Sequence, residues 1–463
     1  MIYFFIAFSI SILFRLLFDP FNSLYAFYST LGLTYTLIPL IKYFSNKSAK
    51  DLLLFIPMLM TYIYFLLPYM FSELVSHHYK HIPIEYLGNI SFFSMSSLIA
   101  LYYGYYTLDL NNSNKSLFRT DFVLNLKNIK RASILFMFFG IFERLLFKYA
   151  TFLYKPIKSI FMILEFSPVI SISLGLLYYL RGGKSKIFLS LILLYFFGEL
   201  SVRIGDTLFS KILYMFASLL LVYVFETKKL PLFKILLIGI IIFPNFALRK
   251  MYRVELFESW YGSEKKTYTD MIYTGFDNAI TTFEIFPWEH AGIILKDQLS
   301  TRFENITFLG QCVNHTLNDN KGYKYGLTMW HLPLSIVPRF IFPWKPINYH
   351  ATLLATEYGV KGLGKGAMNF PMLVEYFINF GFYGMVFFSF IQGLITRWAL
   401  QKAAFGEGDI NLIVLICLLW HLEKVETNFT MIMGGFIQIV FFFWLTKLIL
   451  RFFNKNKLSI IAK

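Results

Sequence analysis

Charge is scarce in this chain of 463 residues. Only 15% are Asp, Glu, Lys or Arg, where a soluble domain usually carries about a quarter. With 57% hydrophobic residues and a mean hydropathy of +0.57, that shortage excludes an ordinary water-soluble globular protein. Cysteine is rarer still. Cys312 and Cys417 lie far apart in unlike surroundings, so neither a disulfide framework nor a paired-cysteine metal site can be read. H-E-x-x-H and G-x-S-x-G are missing, which removes the zinc-protease and serine-hydrolase readings. No internal repeat is evident, which counts against an inverted-repeat transporter. The opening M-I-Y-F-F-I-A-F lacks a basic stretch and an A-x-A site, so it is expected to stay as a first span.

What is present is a series of apolar runs of about 18 to 22 residues, each long enough to cross a hydrocarbon core of roughly 30 Å as a helix. About twelve spans are expected, over 1–18, 22–44, 52–71, 89–109, 132–152, 159–180, 187–200, 208–226, 231–248, 371–396, 410–427 and 430–452. The fold class is therefore an all-α polytopic membrane protein, since a β-barrel would need shorter alternating segments. The net charge of +16 is largely topological. Lys47 and Lys50, Lys127 to Arg131, Arg181 and Lys184, Lys228 and Lys229, Arg397 and Lys402, and Lys455 to Lys463 all follow even-numbered spans. Cytoplasmic loops collect Lys and Arg, so both termini are expected in the cytoplasm, with no nucleic acid as partner.

One polar interruption breaks the series. Residues 1–248 form an N-terminal bundle, 249–370 a large extracytoplasmic loop domain with interfacial helices, and 371–463 a C-terminal bundle. Long loops translocate largely regardless of charge, so the basic content of 249–370 fits an outer location and suggests an anionic ligand. Arg249 and Arg253, beside Lys250, share a helix face if the ninth span continues. Two guanidinium forks there suit a phosphate or pyrophosphate, or else contact lipid headgroups. Arg203, in S-V-R-I-G-D-T at the end of a short seventh span, is a ligand candidate or the partner of Glu199 or Asp206, with Gly205 allowing a helix break.

Arg302 sits in an expected amphipathic helix with Leu299, Phe303, Ile306 and Leu309 on or near one side and Glu304 as neighbour. The densest segment, Gly326 to Pro346, holds four prolines, which forbid one regular helix. A short re-entrant or interfacial helix followed by a rigid turn is expected there. It presents Arg339 and Lys345 from a stiffened frame, with Trp330 and Trp344 at headgroup level and His331 as an acid or base. Lys361 and Lys365 lie in a glycine-rich stretch that is not a P-loop. Glu375 and Asn379, four apart at the start of the tenth span, share a face, and an intramembrane carboxylate is a functional candidate.

The order G-Y-K-Y-G, I-V-P-R-F-I-F-P-W-K-P, a glycine-rich stretch, and E-Y-F-I-N-F-G-F-Y-G resembles the bacterial Wzy-type oligosaccharide repeat-unit polymerases of O-antigen, capsule and enterobacterial common antigen. The likeness is sharp over residues 300–395; elsewhere it rests on span number and loop placement. S-V-R-I-G-D-T departs from the small-residue G-S-R form of that family's earlier arginine motif. The resemblance implies a GT-C-like fold in the inner membrane and an inverting transfer between two undecaprenyl-diphosphate-linked oligosaccharides, with no nucleotide sugar, cofactor or metal. It implies that Arg339 and Lys345, and at the departing motif Arg203, bind the diphosphate, with Arg339 stabilising the leaving group. The residue reading adds Arg249, Arg253 and Arg302 as further diphosphate contacts, His331 and Glu375 as candidates to take the acceptor proton, and Trp330, Trp344 and Tyr325 as sugar-stacking candidates. Membrane lipids and a chain-length regulator protein are the other implied partners. Two alternatives stay open: an O-antigen-ligase-like transferase, and a lipid-linked oligosaccharide flippase.

Overall fold

The structure is a computed structural model. It describes residues 2–18, 24–46, 49–70, 84–108, 125–149, 163–205, 209–231, 286–290, 304–318, 322–330, 332–335, 350–358, 370–404, 409–422 and 427–440, with single positions at 425 and between 233 and 293. Every regular element among the described residues is helical. Two of these helices, Leu24–Asn46 and Met372–Trp398, are long and apolar enough to cross a membrane, and several shorter apolar helices accompany them.

Contacts divide the chain into two compact units, Met1–Asp121 with Leu299–Lys463, and Phe122–Gln298. This partition follows packing, whereas the one expected at 248 and 370 follows polarity. The first unit opens with α1 (Ile2–Phe18), α2 (Leu24–Asn46), α3 (Ala49–Phe65), a 3-10 turn (Leu67–Met70) and α4 (Ile84–Thr107). The second holds α5 (Leu126–Tyr149), α6 (Ile163–Leu180), α7 (Lys186–Gly205) and α8 (Phe209–Thr227). The first then resumes with α9 (Glu304–Leu317), α10 (His350–Glu357), α11 (Met372–Ala404), α12 (Asp409–Leu422) and α13 (Phe429–Val440).

Side-chain contacts set the helix directions in the first unit. Tyr3 and Ser45 are hydrogen-bonded at 3.0 Å, so α1 is antiparallel to α2. Ser29 donates to the Leu66 carbonyl at 2.7 Å, and Tyr106 to Asp51 at 2.6 Å, so α3 is antiparallel to both α2 and α4. Along α11, the Phe377 ring stacks on Phe93 and the Arg397 guanidinium lies 5.0 Å from the Tyr105 ring centre, so α4 and α11 run parallel. Their backbones touch. A Cβ on Gly104 would lie 2.1 Å from the Phe390 carbonyl oxygen, and one on Gly393 2.3 Å from that of Leu101. Small residues that let two helices approach this closely are the usual device of tightly packed apolar helices.

The two ends of this unit differ. At one end Lys42, Asp51, Tyr102, Tyr106 and Arg397 gather, with the Lys42 ammonium 3.8 Å from the Tyr106 ring centre and 3.1 Å from the Tyr102 hydroxyl. At the other, Ile306, Phe308, Leu309, Cys312 and Val313 of α9 pack with Phe65, Tyr69, Leu87 and the start of α11 into one buried cluster. There Arg15, 1% exposed, donates to the Tyr69 carbonyl at 2.8 Å.

In the second unit Ser133 and Ser171 each donate to the other's carbonyl, at 2.9 and 2.8 Å, which staples α5 to α6. Arg181 at the end of α6 grips the Glu226 carboxylate of α8 with two donors, at 3.1 and 3.2 Å.

The distribution of polarity is unusual. Leu13, Phe138, Ile187, Leu194 and Phe387 are more than half exposed, while Arg15, Glu199, Arg203, Glu375 and Asn379 are buried. Many buried hydroxyls bond back to the carbonyl four residues earlier, among them Ser11, Thr30, Thr34, Thr36 and Thr61. That satisfies them without water.

Candidate functional site

The site begins at a break in α11. Gly381 has φ 66 and ψ −157 within an otherwise helical run. A side chain there would carry the strain of the left-handed region, and its Cβ would lie 2.8 Å from the Tyr323 hydroxyl. In an unbroken helix the carbonyls of Ile378 and Asn379 would face the N–H groups of Phe382 and Tyr383. Here they accept from Lys324 N–H at 2.8 Å and Tyr325 N–H at 3.0 Å, and the Asn379 side-chain oxygen accepts from Gly326 N–H at 2.9 Å. Three consecutive loop donors are thus spent on two helical residues. The loop can turn this tightly because Gly322, Tyr325 and Gly326 all have positive φ.

Above this seam lies a closed polar knot. The Asn379 amide donates to the Thr328 hydroxyl at 2.7 Å, and that hydroxyl donates to Glu375 Oε1 at 2.8 Å. Glu375 Oε2 accepts the backbone N–H of Phe429 at 2.6 Å. Each carboxylate oxygen thus accepts a donor, one of them the N–H of the first residue of α13, where backbone N–H groups lack partners within the helix. Asn428 caps the same turn, accepting Met431 N–H at 3.1 Å. The Thr430 hydroxyl reaches the Thr328 carbonyl at 3.3 Å. Glu375, Asn379 and Thr328 are 1%, 0% and 5% exposed, so the knot is sealed.

Around it, Lys324 is ion-paired with Glu357 at the end of α10. The Tyr358 hydroxyl, beside the His315 ring, is pushed up to about 12, first by burial. Tyr325 and Trp330 stand 78% and 55% exposed on the outer side of the turn. The segment expected to hold a short helix shows a turn over 325–330 and then helical residues Leu332–Ser335. The amphipathic helix expected near Arg302 is seen as α9, with Ile306 and Leu309 buried. His331, Arg339, Trp344, Lys345, Arg302, Arg249 and Arg253 lie outside the described residues, as do Lys361 and Lys365.

Arg203 belongs to the second unit. The seventh span expected to end near residue 200 continues as helix to Gly205, so Arg203 sits within its last turn. Glu199, 0% exposed, takes a hydrogen bond from Arg144 at 3.1 Å and lies 3.7 Å from Arg203 Nε. Arg203 also donates to the Lys211 carbonyl at 3.0 Å, and Glu143 lies 3.8 Å from Arg144. Two guanidiniums therefore share one buried carboxylate, as the sequence-level alternative of a Glu199 partner anticipates.

Compared with family models, curated proteins and solved structures, the chain matches none.

Among the described residues, no three His, Cys, Asp or Glu side chains gather where they could hold a metal ion. Three participants escape the sequence reading. Thr328 is one threonine in a turn with nothing to mark it. Glu143 and Arg144 lie inside an expected span, and the rule that flagged Glu375 as an intramembrane charge would have flagged them too.

Proposed function

We propose that this chain is a polytopic protein of the bacterial inner membrane with about twelve spans and a GT-C-like fold. We propose that it polymerises oligosaccharide repeat units on the extracytoplasmic face. The observation that carries this reading is the arrangement of the first unit. Its basic residues Lys42 and Arg397 stand at one end, while α9 and the loop through Trp330 pack on the other. The helices whose flanking charges assign them inward, α2, α4 and α11, are antiparallel to α1 and α3, which are assigned outward. A surface of exposed Leu, Ile and Phe around buried Arg and Glu suits lipid, since large apolar patches in water drive association.

In this reading the acceptor hydroxyl of one lipid-linked unit attacks the anomeric carbon of another. The sugar–phosphate bond breaks with inversion, and undecaprenyl diphosphate leaves. Arg339 and Lys345, with Arg302, neutralise the charge that develops on the diphosphate, which is electrostatic transition-state stabilisation. Trp330 and Tyr325 offer sugar-stacking faces, and His331 takes the hydroxyl proton. Glu375 has both oxygens already engaged by Thr328 and Phe429, which favours a structural role for it over that of base.

The test is incubation of purified protein with undecaprenyl-diphosphate repeat units, with products sized by electrophoresis. Wild type should build ladders, and Arg339→Ala should leave single units. Full-length ladders from Arg339→Ala would sink the arginine assignment. No ladder from wild type, with deletion strains accumulating lipid-linked units on the cytoplasmic face, would favour a flippase instead. Polymer stranded on undecaprenyl diphosphate after deletion would point to a ligase.

A further inference from the structure

We propose that the second unit seats acidic phospholipids of the inner leaflet on a basic rim at one end of α5 to α8. The inference rests on the membrane-embedded reading and not on the polymerase chemistry. Three stretches of chain assemble the rim. Arg181, just after α6, grips Glu226 of α8 at 3.1 and 3.2 Å. The Lys130 ammonium of α5 reaches the Ser185 hydroxyl at 3.3 Å, and the Tyr178 and Phe188 rings pack 4.9 Å apart across the turn from α6 to α7. The start of α5, that turn and the end of α8 therefore share one end of the unit. Lys127, Arg131, Lys184, Lys186, Lys228 and Lys229 are all exposed there. Of the four acids in α5 to α8, Glu226 alone lies at this end, and Arg181 already holds it. In the first unit the basic groups turn inward instead, Lys42 onto the Tyr106 ring at 3.8 Å and Arg397 into a site 9% exposed.

The surface beneath the rim selects the partner. Along α5 the positions 127, 131, 135, 138, 142 and 145 keep to one helix face. The first two are the cations Lys127 and Arg131, and the next four are the exposed Leu135, Phe138, Phe142 and Leu145. With a rise of 1.5 Å per residue that apolar stripe runs about 15 Å, half of a hydrocarbon core of roughly 30 Å. On α7, Lys186 likewise heads the exposed Leu193 and Phe197, seven and eleven positions on. A phospholipid has the same layout, a phosphate above chains as long as one leaflet. An acidic protein or a nucleic acid would meet the cations and leave the stripes in water. A lipid without net charge would cover the stripes and leave the cations to repel one another. Acidic phospholipid answers both, and each Lys or Arg beside an anionic lipid surface is worth about a fivefold gain in binding.

The experiment places full-length protein in phosphatidylcholine vesicles carrying a trace of spin-labelled phosphatidylglycerol or spin-labelled phosphatidylcholine. Electron paramagnetic resonance then reads the fraction of each label immobilised on the protein. Wild type should prefer phosphatidylglycerol by about fivefold, and raising salt from about 0.1 M to about 1 M should collapse that preference. Lys127→Gln with Arg131→Gln, and Lys184→Gln with Lys186→Gln, should each lower it by about half, and the four together by about threefold or more. All four positions are exposed, so the variants keep their packing. Lys211→Gln with Lys324→Gln, away from the rim, should leave it at the wild-type level. A wild-type preference near one overturns the proposal, as does a preference that survives the four substitutions or falls equally in the control pair. Wild type without lipid preference that binds heparin through the same four residues would assign the rim to a soluble polyanion instead. Protein stripped from the vesicles by alkaline carbonate overturns the membrane reading and the rim with it. Protein that stays embedded without a preference overturns the rim alone.

Discussion

Glu375 on α11 accepts the backbone N–H of Phe429, the first residue of α13, at 2.6 Å. A carboxylate from one helix thereby caps another across 54 residues of sequence. The same side chain receives Thr328 from the loop, so the helix start, the loop and the long helix are tied through one acid.

Removing that acid should be costly. Glu375→Ala leaves the Phe429 N–H and the Thr328 hydroxyl without an acceptor in a site 1% exposed. Each unsatisfied buried donor costs about 1–3 kcal/mol. Thermal unfolding in detergent should show a fall in Tm of several degrees, with a smaller fall for Glu375→Gln, which keeps an acceptor oxygen. An alanine variant as stable as wild type would refute the capping role.

The break at Gly381 should tolerate no side chain. Gly381→Ala imposes φ 66 on a residue with a Cβ and drives that Cβ to 2.8 Å from the Tyr323 hydroxyl. The backbone term alone is about 1–3 kcal/mol. Combining it with Tyr323→Ala should recover only the steric part. Full recovery in the double variant, measured by thermal unfolding, would show that the backbone conformation costs nothing.

The parallel contact of α4 and α11 makes a sharp contrast between glycines. Gly104→Ala and Gly393→Ala would each put a Cβ within 2.3 Å of a backbone carbonyl oxygen, whereas Gly88→Ala meets nothing within 4 Å. The first two should destabilise by about 1–3 kcal/mol or more as overpacking. Gly88→Ala should be neutral or slightly stabilising through helix propensity. Equal Tm values for the three variants would contradict the close approach.

The shared carboxylate of Glu199 should couple Arg144 to Arg203. Breaking a buried ion pair by removing one partner costs about 3–5 kcal/mol. Glu199→Gln should therefore destabilise more than Arg144→Gln, because Arg144 is 20% exposed and Glu199 is fully enclosed. A double-mutant cycle on Arg144 and Glu199 should return about 1–3 kcal/mol of coupling. A coupling near zero would mean that the 3.1 Å contact is energetically idle.

The helical class is legible from the chain itself, and some bounds are too: the span expected over 22–44 is Leu24–Asn46, and that over 208–226 is Phe209–Thr227, whereas the span expected over 371–396 runs on as helix to Ala404. The reason is local, because backbone polar groups within a long apolar run are best satisfied inside that run. The structure departs from hydropathy where a side chain overrides it. The seventh helix extends past residue 200 because its charges find partners in Glu199, Arg144 and the Lys211 carbonyl. Helix α11 carries a break at Gly381 that hydropathy does not register, because the loop supplies donors to its carbonyls.

The sequence by itself determined the helical class, the places where charge interrupts it, and the alternating basic ends, since each depends on neighbours within one turn or one span. Only the tertiary structure decided that Glu375 is a cap, that Thr328 is buried and that Arg144 joins Arg203. Those contacts link residues 47 to 55 positions apart. A buried polar group takes whichever partner the packed helices bring within about 3 Å, and the spacing of residues along the chain carries no record of that choice.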